Sequence, residues 1–179
     1  MNDKPAGTKD FTLTGSVDDQ KKLTLKVNVP SVMGGLAIEF IQGTLPLSYH
    51  VSGTYSKEAN LSVSVGSTTY PDITDCKVSM KRSSDDTVEV TLKGLSNLNK
   101  SETGKGMNLG DFTVTDVKVT SADNSTFKIE GSISATDTNN TKITGTISGT
   151  VTNSEANITF TFKPGAMPID ITAQFKGKK

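Results

Sequence analysis

Few side chains in this 179-residue chain could carry out chemistry, and their spacing argues against catalysis. His50 is the only histidine. It lies between Tyr49 and Val51, out of phase with the apolar positions around it, so the pattern predicts a solvent-facing ring. A Ser-His-Asp triad would have to use it, and no Gly-x-Ser-x-Gly elbow presents a nucleophile. One histidine also rules out a histidine-based zinc site. Cys76 is the only cysteine, so no intrachain disulfide can form. Its neighbours Ile73, Val78 and Met80 predict a small buried residue rather than a reactive thiol. Asp18-Asp19 and Asp85-Asp86 have the setting of turns, and no Asp-x-Asp-x-Asp spacing for calcium appears. Gly104-Lys105-Gly106 does not open a helix after a strand, as a phosphate loop would. No catalytic residue, metal or cofactor is expected, and the chain is read as non-enzymatic.

Charge narrows the partners further. Nineteen basic and nineteen acidic residues cancel, and Arg82 is the only arginine. Nucleic-acid sites favour arginine for bidentate and stacking contacts, so no nucleic-acid partner is expected. No apolar run approaches the roughly 18 residues that span a bilayer. The opening Met1–Lys9 is polar and without pattern, and reads as a disordered tether over residues 1–9.

The elements that would position any site are strands. Thr and Ser number 26 and 19, a quarter of the chain, while strong helix formers are scarce. Apolar residues recur at every second position along most of the sequence. Phe11, Leu13, Gly15 and Val17 begin the series, and Leu23 to Val29, Leu36 to Phe40, Leu47 to Tyr55 and Leu61 to Val65 continue it. Further strands are predicted near 72–81, 86–95, 111–120, 125–135, 142–152, 157–163 and 169–177. The stretch 96–110, rich in Asn, Gly and Lys, reads as one long loop. The fold class is all-β: an antiparallel, strongly curved sheet or barrel of about 10–12 strands, with a β-sandwich as the alternative. It is expected to form one domain over residues 10–179.

Two internal similarities stand out. Residues 72–80 match 113–121 through Ile73-Thr-Asp-Cys-Lys-Val78 and Val114-Thr-Asp-Val-Lys-Val119. In both copies the apolar parity switches across the aspartate, which predicts β-bulges at Asp75 and Asp116. Residues 12–43 resemble 146–177 more weakly, which suggests pairing between the first and last parts of the chain. Glycines within the apolar register, among them Gly131, Gly145 and Gly149, either relieve crowding in a coiled sheet or leave room for a ligand.

Several segments together resemble a known family. They are Val90–Leu95 (VTLKGL), Met107–Gly110 (MNLG), Asp111–Thr120 (DFTVTDVKVT), Phe160–Ile169 (FTFKPGAMPI) and Phe175–Lys178 (FKGK). This run, covering roughly the C-terminal half, is similar to the calycin-like lipoproteins of Bacteroidetes. The resemblance implies a β-barrel-like fold and export to the periplasm, outer membrane or cell surface. It also implies that the membrane is reached only through a lipid anchor on a cysteine upstream of this sequence. The expected function is binding of a small apolar or lipid-like ligand. The candidate lining is Phe11, Phe40, Tyr49, Val51, Phe127, Ile129, Phe160, Phe162 and Phe175. The alternative is a surface interaction or structural module that binds glycan or protein through its loops. An enclosed apolar cavity of roughly 300 Å³ or more would favour the first. A filled core with an exposed apolar patch would favour the second. The sequence leaves ligand, partner and oligomeric state open.

Overall fold

The computed structural model describes residues 11–17, 23–29, 36–100, 107, 109–121, 123 and 125–179. The predicted tether and the Asp18-Asp19 pair lie outside these residues. The chain divides into two compact units at Leu45/Pro46, where one β domain was expected.

The first unit carries a three-stranded antiparallel sheet of β1 (Thr12–Val17), β2 (Leu23–Val29) and β3 (Leu36–Ile41), in that order. Cross-strand partners share a face. Leu13 pairs with Val27 and Val27 with Ile38, while Leu25 lies between Gly15 and Phe40. These rows are apolar. On the other face Lys26 reaches Glu39 at 3.6 Å, beside Thr14, Ser16 and Thr24.

The second unit is a ten-stranded antiparallel sheet. Its elements are β4 (Gly53–Tyr55), β5 (Lys57–Val65), β6 (Thr68–Thr69), β7 (Lys77–Arg82), β8 (Thr87–Lys93), β9 (Phe112–Ser121), β10 (Phe127–Thr136), β11 (Lys142–Val151), β12 (Glu155–Pro164) and β13 (Ile171–Lys178). The order is β4-β7-β8-β9-β10-β11-β12-β13-β5-β6. Strands β7 to β13 form a continuous meander. Strand β4 begins that order and β5 stands next to its other end, yet only Ser56 separates them in sequence. The sheet therefore curls back on itself, and the Ser56 amide donates to the Lys178 carbonyl of β13 at 2.9 Å. Curling gives the inward side chains one shared interior. Along β12, Ala156, Ile158, Phe160 and Phe162 are buried, and along β13 so are Ile171, Ala173 and Phe175.

Glycine lets the sheet bend this tightly. A Cβ on Gly145 would lie 2.0 Å from the Thr161 carbonyl oxygen. One on Gly149 would lie 2.5 Å from that of Asn157. Strand β12 closes over β11 at these points, with Phe162 opposite Gly145 and Ile158 opposite Gly149. The glycines relieve crowding between backbones, and the space beside them is already taken.

The repeated Thr-Asp motif behaves as its parity switch requires. Ile73, Cys76 and Val78 are buried while Thr74, Asp75 and Lys77 are exposed, and Val114 to Val119 repeat that pattern residue for residue. At Asp116 the cause is a bulge: φ is 56°, and the β8–β9 register shifts between Val88 and Val90. Asp75 corrects the expectation of a second bulge. It precedes β7, at the corner where the chain leaves an isolated bridge between Ile73 and Leu61.

Three further expectations change. Residues 47–55 do not form one strand. Leu47–Val51 is a short helix, α1, after Pro46, and β4 follows through Gly53 at φ 136°. Leu47, Tyr49 and Val51 alternate, but Leu47 and Val51 also stand one helical turn apart. Within the predicted loop, Leu95–Lys100 is a 3-10 helix that buries Leu95 and Leu98, three residues apart and thus on one face. The last strand is integral to the sheet as expected, but β13 pairs with β12 and β5, not with the first strands.

Candidate functional site

The barrel interior holds six of the nine expected lining residues. Val51, Phe127, Ile129, Phe160, Phe162 and Phe175 are all 0–1% exposed. They pack against each other and against residues the sequence reading left out. Phe112 meets Phe160 edge-on at 6.0 Å and Phe162 at 5.1 Å. Tyr55 is fully buried and donates to the Val51 carbonyl at 2.8 Å, and burial holds its phenol well above the usual range. Signals for Phe112 and Tyr55 were present in the alternation, since both lie in phase with their strands.

Helix α1 lies against one end of the barrel. The Ser48 amide and hydroxyl donate to Asp85 O (3.0 Å) and Ser84 O (2.6 Å) in the β7–β8 turn. The His50 ring does not face solvent alone: it stacks on Phe127, 4.9 Å between centroids and 14° from parallel. Lys179 Nζ donates to the His50 carbonyl at 3.1 Å and sits 5.1 Å from the Tyr55 ring centre. Desolvation there lowers the Lys179 pKa. Tyr49, a seventh expected lining residue, is partly exposed and lies under the Arg82 guanidinium at 4.5 Å.

Leu95, Leu98 and Leu109 are buried beside the opposite end of the strands. There Asp137, a buried carboxylate that no sequence signal singled out, is accounted for by backbone donors. Its oxygens accept from the amides of Asn139 (3.0 Å), Thr141 (2.7 Å) and Gly110 (2.9 Å). It ties the β10–β11 turn to the segment before β9, a structural task.

The two remaining expected lining residues lie elsewhere. Phe11 and Phe40 belong to the first unit, 63% and 55% exposed, so they do not join the six inside the barrel.

Two clefts open on the second unit, the first of mixed lining and the second mostly polar. One, of about 440 Å³, is lined by Glu58, Thr150, Glu155, Asn157, Lys176 and Lys178 among others. Lys178 Nζ reaches Glu58 Oε2 at 2.6 Å and Glu155 Oε1 at 3.8 Å, and the Glu58 hydrogen bond raises its pKa. The other, of about 380 Å³, includes Asp75, Cys76, Lys77, Lys93, Asn97 and Asp111. Its carboxylate and amide partners are internal: Asp111 accepts from the Gly94 amide, and Asn97 donates to the Asp75 carbonyl, each at 2.9 Å. Cys76 is buried as expected and its Sγ lies 3.2 Å from the Ile73 carbonyl. Desolvation, helped by the Asp75 charge, pushes the thiol up to about 11, so it stays protonated and is a poor nucleophile near neutrality. Among the described residues no three His, Cys, Asp or Glu side chains gather as a metal site.

This architecture matches a known class of fold. The model of the calycin-like β-barrel domain matches residues 51–178, most of the chain and nearly all of the second unit. The chain belongs to the calycin-like β-barrel family. Among solved structures it is similar to a Bacteroides fragilis protein whose name proposes an outer membrane protein. The two share 88% identity with a TM-score of 0.81, over all of this chain and 70% of that one. No curated protein matches the chain.

Proposed function

We propose that this is a non-enzymatic protein of the bacterial cell envelope that acts as an interaction module through its outer surface. The carrying observation is a packed interior in one unit and exposed apolar side chains on the sheet of the other. Fully buried Tyr55, Phe127, Phe160, Phe162 and Phe175 occupy the interior, whereas Leu13, Val17, Ile38 and Phe40 of the other sheet are at least half exposed. Export and a lipid anchor upstream belong to this reading, and the similarity to a Bacteroides protein named for the outer membrane supports them.

Binding of a small apolar or lipid-like ligand within the barrel is the second reading. It draws on the convergence of six expected lining residues in one interior. Such a ligand would have to displace packed side chains, at a cost of the kind that overpacking brings, typically about 1–3 kcal/mol. Native mass spectrometry of protein purified from its own host separates the two. The surface reading predicts the mass of the polypeptide and its modifications alone. A stoichiometric small-molecule adduct that survives desalting would overturn it.

A further inference from the structure

Strands β7 and β8 carry two pairs of facing charged residues on their outer face, and the pairs differ in kind. Lys81 stands opposite Glu89 and reaches it at 4.0 Å. Lys77 stands opposite Lys93, with Ser79 and Thr91 between the two pairs. Neither Lys77 nor Lys93 has an ion-pair partner among the described residues, whereas Lys81, Lys163 and Lys178 each have one. Like charges directly opposite one another destabilise a sheet, so this pair weakens the strands that carry it. An anion held between the two ammonium groups would reverse that effect.

The pair borders a built cleft. Four stretches of the second unit converge there: Ser56, the corner at Thr74 to Lys77, the turn after β8, and Asp111. Its volume of about 380 Å³ falls within the usual span of small-ligand pockets, roughly 300–1,000 Å³. Its floor is fixed. Gly94, at φ 115°, lies so close to the corner that a Cβ there would be 2.7 Å from the Cys76 Cβ. The Asp111 carboxylate accepts from the Gly94 amide, and the Asn97 side chain donates to the Asp75 carbonyl, each at 2.9 Å. A site held in this way needs little ordering when a ligand arrives.

The lining sorts by chemistry. Lys77 and Lys93 donate to an anion, and the hydroxyls of Ser56, Thr74 and Ser96 donate or accept. The Asp75 carboxylate repels a bare anion but accepts from hydroxyl groups. Together they favour a ligand that brings hydroxyls along with its negative charge. We propose that this cleft binds an acidic sugar, with its carboxylate seated between Lys77 and Lys93 and its hydroxyls donating to Asp75. The inference rests on the reading that this protein works through its outer surface, and it names the ligand class for that surface.

The test is an amide NMR titration of the whole 179-residue protein with sodium glucuronate, glucose, acetate and a polyglutamate peptide. Glucuronate should shift the amides of residues 74–77 and 93–97 to saturation, at an affinity about tenfold or more above that for glucose or acetate. Lys77→Gln and Lys93→Gln should each weaken glucuronate binding by about tenfold, while Lys81→Gln leaves it unchanged. Without ligand at low salt, Lys77→Gln and Lys93→Gln should each raise the melting midpoint by about 1–4 °C, because the like-charge contact is gone. A midpoint lowered by both substitutions would overturn the proposal by giving the lysines a structural role. Equal affinity for acetate would overturn it in favour of a simple anion site, and equal affinity for glucose would show that the lysines do not read the ligand. Tighter binding of the peptide would replace the sugar with an acidic protein segment. Absence of a saturable shift at these amides would remove the site. A ligand inside the barrel would defeat the surface reading and shift the amides of β12 and β13 instead, so the two failures are distinct.

Discussion

In β12, Ile158, Phe160 and Phe162 alternate with polar residues and are fully buried. In β3, Leu36, Ile38 and Phe40 also recur at every second position, with Ala37, Glu39 and Ile41 on the other face, and are 39%, 50% and 55% exposed. The side chains are nearly the same in kind, and the strands obey the same period. What differs is the number of strands that share the sheet. Ten strands curl until the sheet covers its own inner face, with β5 and β4 meeting at Ser56. Three strands cannot curl that far, so their apolar face requires a second layer. Alternation thus specifies which face is apolar, while closure or a partner decides whether that face is dry.

The largest effect expected from breaking the barrel comes from its last strand. Deleting residues 169–179 removes β13, which pairs with both β12 and β5 and so joins the meander to the strand that closes it. The truncated chain should lose cooperative unfolding in urea monitored by circular dichroism. An unchanged midpoint would show that β13 is peripheral and that the interior is closed some other way.

A matched pair of substitutions sharpens the contrast. Phe160→Ala empties a fully buried position beside Phe112 and should cost about 3–5 kcal/mol in denaturant unfolding. Phe40→Ala trims a side chain that is 55% exposed and should cost well under about 1 kcal/mol. Similar losses at both sites would mean that the face of β3 is covered in solution.

Cys76 probes the wall of the barrel at the start of β7. With its thiol pushed up to about 11 by burial and by Asp75, labelling of the native protein at pH 8 should be at least tenfold slower than in urea. Rapid stoichiometric labelling without denaturant would place the thiol in solvent.

The smallest effect belongs to a surface turn. Asp123 Oδ1 accepts from the amides of Thr126 (2.8 Å) and Ser125 (3.0 Å), and these bonds lower its pKa to about 2. A carboxyl depressed in the folded state contributes stability above its unfolded pKa of about 4 and loses it as pH falls towards 2. Asp123→Asn should therefore flatten the fall in stability between about pH 4 and pH 2, measured as urea midpoints. An unchanged acid slope would mean that the turn's bonds do not favour the ionised form.

Much of the barrel was legible because its signals are local. Period-2 alternation located the strands from β7 to β13 to within a few residues, apart from the early start predicted for the first. The parity switch across Asp116 marked a bulge without any knowledge of its partner strand. Pairing was not legible in the same way, since the contact of β13 with β5 joins residues more than a hundred positions apart. The similarity between 12–43 and 146–177 pointed to pairing that is absent among the described residues. Helix α1 was missed because Leu47, Tyr49 and Val51 satisfy a strand's period as well as a turn of helix, and Pro46 tips the balance towards the helix start. For the candidate lining, Phe160 and Phe40 looked equivalent because alternation says nothing about what covers a face.

Hydrogen exchange of the 179-residue chain, followed by mass spectrometry, tests the central contrast most directly. Amides of β9 to β13 belong to a sheet closed over its own core and should open only with global unfolding. Amides of β1 to β3, which belong to a separate sheet of only three strands, should exchange through a separate opening of markedly lower free energy. Exchange of both sheets at one common rate, falling together with added urea, would contradict the account by showing that a single cooperative core protects them both.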